Sequence, residues 1–240
     1  AGSVVRVHQG RLWMNDKTDN NRLHYSPIAD VEKWNGVGDS GALDISPGDG
    51  DPDGITGFFS FKNQLFVGKR NRLYRVIGDS PETYEIKLVS TTLGMSGPNS
   101  VAYEDDRDVY FISTKGVHSI AVTDKYGDFD GEFVSSDIQL TWVEDINQSR
   151  LKFCWATYVP SLNSLMFSLS DSSVATSSRN NVLYLYNIPY KAWYRWPGID
   201  AQSLAMVADS DGARPYFGSS IGILRKGQTG SPTTDSVNIE

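Results

Sequence analysis

Apolar and polar positions alternate along this chain in short bursts. The burst from Ile55 to Asp79, ITGFFSFKNQLFVGKRNRLYRVIGD, sets the pattern for the rest. Phe58, Phe59 and Phe61 form an apolar run closed by the polar pair Lys62-Asn63. Leu65, Phe66 and Val67 form a second run, closed by Arg70-Asn71, and Leu73, Tyr74, Val76 and Ile77 form a third. Short runs rich in aromatic and β-branched residues, broken by Asn, Lys, Arg and Gly, are the signature of β-hairpins. The burst therefore predicts three consecutive strands of one meander, with Tyr84 to Val89 as a fourth.

The same plan recurs on both sides. Before the burst, strands are expected at Val4–Val7, Arg11–Met14 and Asn21–Tyr25, with Val31–Trp34 as a fourth. A Gly- and Asp-rich loop follows from Gly36 to Gly54. After the burst come Asn99–Tyr103, Asp108–Ile112 and Val117–Val122. A fourth group holds Phe153–Val159, Leu165–Leu169, Val182–Tyr186 and Ala192–Trp196. A fifth holds Ser203–Val207, Pro215–Gly218 and Ile221–Leu224, and Ser236–Ile239 is a candidate last strand. From Asp124 to Arg150 the pattern breaks down. Ile138, Leu140, Trp142, Val143 and Ile146 suit a short helix as well as a strand, and no long helix is expected anywhere.

Equivalent second-strand positions, Leu12, Leu65, Val109, Leu165 and Tyr216, recur at about 45 to 55 residues, the interval of four-stranded propeller blades. The expectation is an all-β chain forming a single β-propeller over residues 1–240. It would have five blades of four antiparallel strands, at about 1–36, 54–92, 97–150, 151–199 and 200–240. A large β-sandwich or two small β-domains is the alternative, because all hairpins share these cues. In a propeller each blade buries both faces against its neighbours, and the ring closes by pairing its ends. Val4–Val7 and Val237–Ile239 are the candidates for that closure.

Composition narrows the functional classes. A hydrophobic fraction of 39% and a charged fraction of 21% are those of a folded domain. A net charge of −7 argues against a surface that holds nucleic acid by bulk charge. One cysteine, Cys154, excludes an internal disulfide framework and a Cys-based zinc site. No apolar run is long enough to span a membrane. Ala1 is not an initiator Met, so the segment reads as a mature form or an excised fragment.

Asp49-Gly50-Asp51-Pro52-Asp53-Gly54 is the sharpest chemical motif, with Asp49, Asp51 and Asp53 as candidate calcium ligands. Alternate carboxylates around a Gly turn are how calcium loops collect oxygen ligands. Ser60 stands where an EF-hand would place its closing Glu, so the loop is not an EF-hand. A solvated acidic turn between blades is the competing reading. Asp128–Gly131 and Asp209–Gly212 are weaker versions. Ser135–Trp142 nearly spells the sialidase repeat S-x-D-x-G-x-T-W, but departs from it at Gln139 and occurs once, as chance would produce. His8, His24 and His118 fall in or beside strand runs without a G-x-S-x-G partner motif. Cys154, between Phe153 and Trp155, reads as a small core residue. Asp105, Asp106, Asp108, Asp209 and Asp211 are polar turn residues near a ring face. No catalytic residues are assigned, and no enzyme is expected. The aromatic cluster Tyr184, Tyr186, Tyr190, Trp193, Tyr194 and Trp196 suits a packed outer strand pair, a sugar platform or a protein interface.

Three segments in series carry a family resemblance: GRLWMNDKTDNNRLHYSPIADVEKWN, GDGDPDGITGFFSFKNQLFVGKRNRLYRVIGD and GPNSVAYEDDRDVYFISTKGVHSI. Together they resemble the β-propeller tail proteins of tailed bacteriophages, of the nozzle (tail tubular protein B) and tail-hub kind. NNVLYLYNIPYKAWYRWPG is similar to a later blade of that family. The resemblance covers most of the chain as a diffuse pattern, least clearly from Asp124 to Arg150 and after Lys226. It implies a structural virion protein assembled in the host cytoplasm, with no enzymatic residues. Its partners would be other tail and connector proteins and copies of itself in a ring, a hexamer in the family. DNA would pass through that ring without specific binding, and an acidic conduit would repel the duplex. Two rival readings come from other classes. A carbohydrate-binding, receptor-binding propeller would show sugar-dependent tryptophan fluorescence. A propeller glycosidase would lose hydrolysis on replacement of one channel Asp.

Overall fold

In a computed structural model of the chain, the predicted hairpins become five antiparallel sheets whose strands follow one another in strict sequence order. The structure describes residues 2–34, 36–50, 53–121, 133–172, 178–209 and 212–227. The expected last strand, Ser236–Ile239, and the closure it would make lie outside them, as does Asp128–Gly131. The chain divides into two units, Ala1–Pro98 with Ile120–Gly131, and Asn99–Ser119 with Glu132–Glu240.

The first unit holds two four-stranded sheets. One is β1 (Val5–His8), β2 (Arg11–Asn15), β3 (Arg22–Tyr25) and β4 (Gly41–Asp44). The other is β5 (Gly57–Phe61), β6 (Gln64–Gly68), β7 (Leu73–Ile77) and β8 (Glu85–Ser90). Lys62 and Asn63, with φ of +45° and +58°, make the β5–β6 turn in the left-handed region that tight hairpins need. The fourth strand of the first sheet is not Val31–Trp34. That stretch closes on itself through Trp34 Nε1 to Val31 O and Lys33 to Asp30. Gly41 serves instead because it leaves room for Tyr25, whose hydroxyl would lie 2.4 Å from a Cβ at that position. The two sheets face each other across one core. Val4, Trp13, Leu23 and Tyr25 meet Phe58, Leu65, Val67, Tyr74 and Val76 there, and β1 packs against β5.

The second unit holds three sheets. The first is β9 (Val101–Glu104), β10 (Asp108–Ile112) and β11 (Val117–Ser119). Next comes β12 (Trp155–Val159), β13 (Ser164–Leu169), β14 (Val182–Asn187) and β15 (Ala192–Pro197). The last is β16 (Ser203–Asp209), β17 (Gly212–Gly218) and β18 (Leu224–Lys226). β18 starts later than expected because Ser219 to Ile223 make a turn, with Ser219 N bonded to Ile223 O and Gly222 at φ +80°. All six residues of β13 are buried. With a period of two, Leu165, Phe167 and Leu169 face one way and Met166 the other. The first face shares a core with Ala102, Tyr110, Ile112 and Val117 of the preceding sheet. The second shares one with Leu204, Met206 and Phe217 of the following sheet. First strands also adjoin in this unit, β9 with β12 and β12 with β16. The β12–β15 sheet is therefore the middle layer of three.

Two of the five sheets have three strands rather than four among the described residues. Between β11 and β12, the described residues from Phe133 onward form a helical insert. A 3-10 turn at Ser136–Ile138 leads into helix α1 (Gln139–Glu144), and a second 3-10 turn covers Gln148–Phe153. Trp142, fully buried, keys α1 into the core, and its Nε1 donates to Thr114 O between β10 and β11. The near-sialidase string Ser135–Trp142 thus belongs to a helix start, not to a hairpin turn.

Candidate functional site

The acidic loop is built around a buried cation. Lys69 follows β6, with its backbone held by Arg72 O and Met95 N. Its side chain is fully buried, and Nζ donates to Asp49 Oδ2 at 2.9 Å and to Ser46 O at 3.2 Å. The Tyr74 hydroxyl, from β7, donates to the same carboxylate oxygen. Burial, and then the bond to Asp49, push the Tyr74 phenol up to about 12. Asp53 lies 3.5 Å from Arg70, both half exposed. Asp51 lies outside the described residues. Of the three candidate calcium ligands, then, Asp49 already carries an ammonium where a metal would sit, and Asp53 has a guanidinium beside it. A calcium ion at Asp49 would have to displace Lys69. No cluster of three or more His, Cys, Asp or Glu fit for a metal occurs among the described residues.

This grouping of cation, carboxylate and phenol recurs in other sheets. Arg11, at the start of β2 and 2% exposed, donates to Asp39 Oδ2 at 2.6 Å and to Ser26 O, with its guanidinium 5.6 Å from the Tyr25 ring. Bonding to Arg11 holds the Asp39 carboxyl below its ordinary value. Asp171, 5% exposed, accepts from Arg195 of β15, and Tyr184 of β14 is coupled to that arginine. Glu104 of β9 accepts from the Tyr110 hydroxyl at 3.1 Å and lies 3.5 Å from Arg107. In each, a charge that burial would otherwise expel, the Arg11 guanidinium in one case and the carboxylate in the others, is met by an opposite charge, by a hydroxyl or by both. Their chemistry is structural: they tie a loop or turn to a strand. Sequence reading missed Arg11, Asp39 and Asp171, and placed Arg195 with the aromatic cluster rather than with Asp171. The available signal was a lone cation inside an apolar strand run, which must find a partner on burial.

The three histidines lie on strands, as expected. His8 Nδ1 is 2.6 Å from Ser60 Oγ, and burial lowers its pKa. His118 Nε2 is 2.8 Å from Ser113 Oγ, between the rings of Phe111 and Phe133. Burial, with Lys115 nearby, pulls His118 down to about 3. His24 pairs with Asp16 at 2.9 Å. Neither His–Ser pair has a carboxylate on its second ring nitrogen among the described residues. Cys154 is buried, and burial pushes its thiol up, away from the reactive thiolate. Asp105, Asp106 and Asp108 share the β9–β10 hairpin, where Asp108 accepts from Ser119 Oγ. The side chain of Asp209 and residue Asp211 are not among those described. Asp108 lies opposite Glu104 in the hairpin, and burial, then both carboxylates, raise the Tyr110 phenol.

The aromatic cluster divides. Tyr184 and Tyr186 are buried in the core, and Trp193 lies 4.9 Å from Tyr186 with Nε1 donating to Val134 O. Trp196 packs on the opposite face. Only Tyr190 and Tyr194 are open, at 81% and 53% exposure. This is mainly a packed outer strand pair, with two tyrosines at the surface. No helix among the described residues is long and apolar enough to cross a membrane.

Neither a protein-family model nor a curated protein matches the chain. Among solved structures, it is similar to the extracellular domain of BT4673 from B. thetaiotaomicron. One structure of that domain is described as part of a one component system, the other as part of a hybrid two component system. The TM-scores are 0.55 and 0.58 at 14% and 12% identity, covering all of this chain and 32% and 31% of those chains. A chain of the mitotic checkpoint complex is similar at a TM-score of 0.51 and 11% identity, over 95% of this chain and 63% of that one. The chain thus spans about a third of the first structures it matches. The likeness is one of backbone arrangement.

Proposed function

We propose that the chain is a structural β-propeller of a bacteriophage tail, part of a nozzle or connector ring around the DNA channel, working through protein–protein contacts. One observation supports the architecture: within each unit, consecutive sheets pack face to face and their first strands adjoin, β1 to β5, then β9 to β12 to β16. Blades arranged around an axis pack in this way. The tail role is carried by the sequence resemblance. A net charge of −7 suits a wall that DNA passes without being held.

Phage particles lacking the chain test the reading. They should assemble heads that fail to gain complete tails or that leak DNA, and should recover when the chain is supplied. Fully infectious particles without it would sink the proposal.

A further inference from the structure

The helical insert of the second unit carries two exposed patches of opposite character. On α1, Leu140 and Val143 are 70% and 62% exposed. Three residues apart, they share one outward face opposite the buried Trp142, and the exposed carboxylates of Asp137 and Glu144 flank them. Past the linker, Phe153 is 50% exposed, with Arg150 4.9 Å and Lys152 5.1 Å from its ring. Neither cation forms an ion pair among the described residues. The pair is an acidic, aliphatic stripe and a basic, aromatic one, on a chain that is acidic as a whole.

The segment between the two patches is held in place. Ile146 bridges to Asp171, Asn147 N donates to Ser170 O at 2.8 Å, and Ser172 N donates to Asp145 O at 2.6 Å. The linker is thus clamped beside the end of β13, and Gln148 Nε2 donates to Trp142 O at 2.8 Å, so the insert is a fixed platform on which Leu140, Val143 and Phe153 stay exposed. We infer that the occupant of each patch is a second copy of this chain, with the α1 stripe of one copy seated on the Arg150–Lys152–Phe153 patch of the next. Charge complementarity names the partner, because one patch supplies what the other lacks. Two different patches on one chain make a head-to-tail contact, which generates a ring when its rotation closes. The inference rests on the proposed reading of the chain as a ring component and assigns that ring its contact surface.

Light scattering on the full chain tests it. The wild type should self-associate, and more weakly as salt rises. Arg150→Glu/Lys152→Glu makes both patches negative, and Asp137→Lys/Glu144→Lys makes both positive. Each variant alone should associate at least about tenfold more weakly, while an equimolar mixture should recover wild-type assembly, since its patches are again opposite. Unchanged circular dichroism would show that the variants fold. A wild type that stays monomeric, variants that assemble like wild type, or a mixture that does not recover would each overturn the inference. Location of the chain in particles is read separately, so a tail position with an unaffected ring would fail this surface and leave the tail role standing.

Discussion

Lys69 shows how a single buried charge organises a loop. Lys69→Met leaves Asp49, 9% exposed, without its cation, and losing one partner of a buried pair costs about 3–5 kcal/mol. Replacing both, Lys69→Met with Asp49→Leu, should restore much of the loss, as read from urea unfolding. For the same reason, calcium should leave the melting temperature no higher than an ionic-strength control. A saturable rise would show Asp49 exchanging Lys69 for the metal. His118 links the fold to pH. It stays neutral in the folded chain down to about 3, whereas the ordinary value is 6.5. Stability is therefore full above pH 6.5 and falls as pH drops below it, by up to about 1.4 kcal/mol per unit. His8 contributes with the same sign. His118→Gln should flatten the decline between pH 6.5 and 5, and equal slopes in the two proteins would contradict the account. The acidic loop was legible as a motif, but its charge balance was not. Lys69 lies 20 residues from Asp49, and no local spacing shows that pairing.

At the level of elements, alternation of apolar positions located nearly every strand, and all five second-strand positions fell on the second strands of their sheets. The misses have local causes. Val31–Trp34 has strand-like residues, but its side chains bond within the segment. Ile221–Leu224 is displaced by the turn at Gly222. The insert was ambiguous because a six-residue helix fixed by one tryptophan shows less than two turns of periodicity. Trp142→Ala should cost about 3–5 kcal/mol and speed amide exchange through residues 133–146. Exchange unchanged there would mean that the insert is held by something other than its tryptophan.

At the scale of the whole molecule, the all-β class was legible, because hairpin signals are local and repeated. A short helix held by one buried tryptophan is set by tertiary packing and was not. The functional reading is of a different kind. It draws on the resemblance of GRLWMNDKTDNNRLHYSPIADVEKWN and the segments after it, and on first strands that adjoin within each unit. Immunogold electron microscopy of particles from the source, with antibody against the chain, tests it most directly. The account predicts label concentrated at the tail or portal end. Particles free of label, with the protein found soluble or on cells, would contradict it.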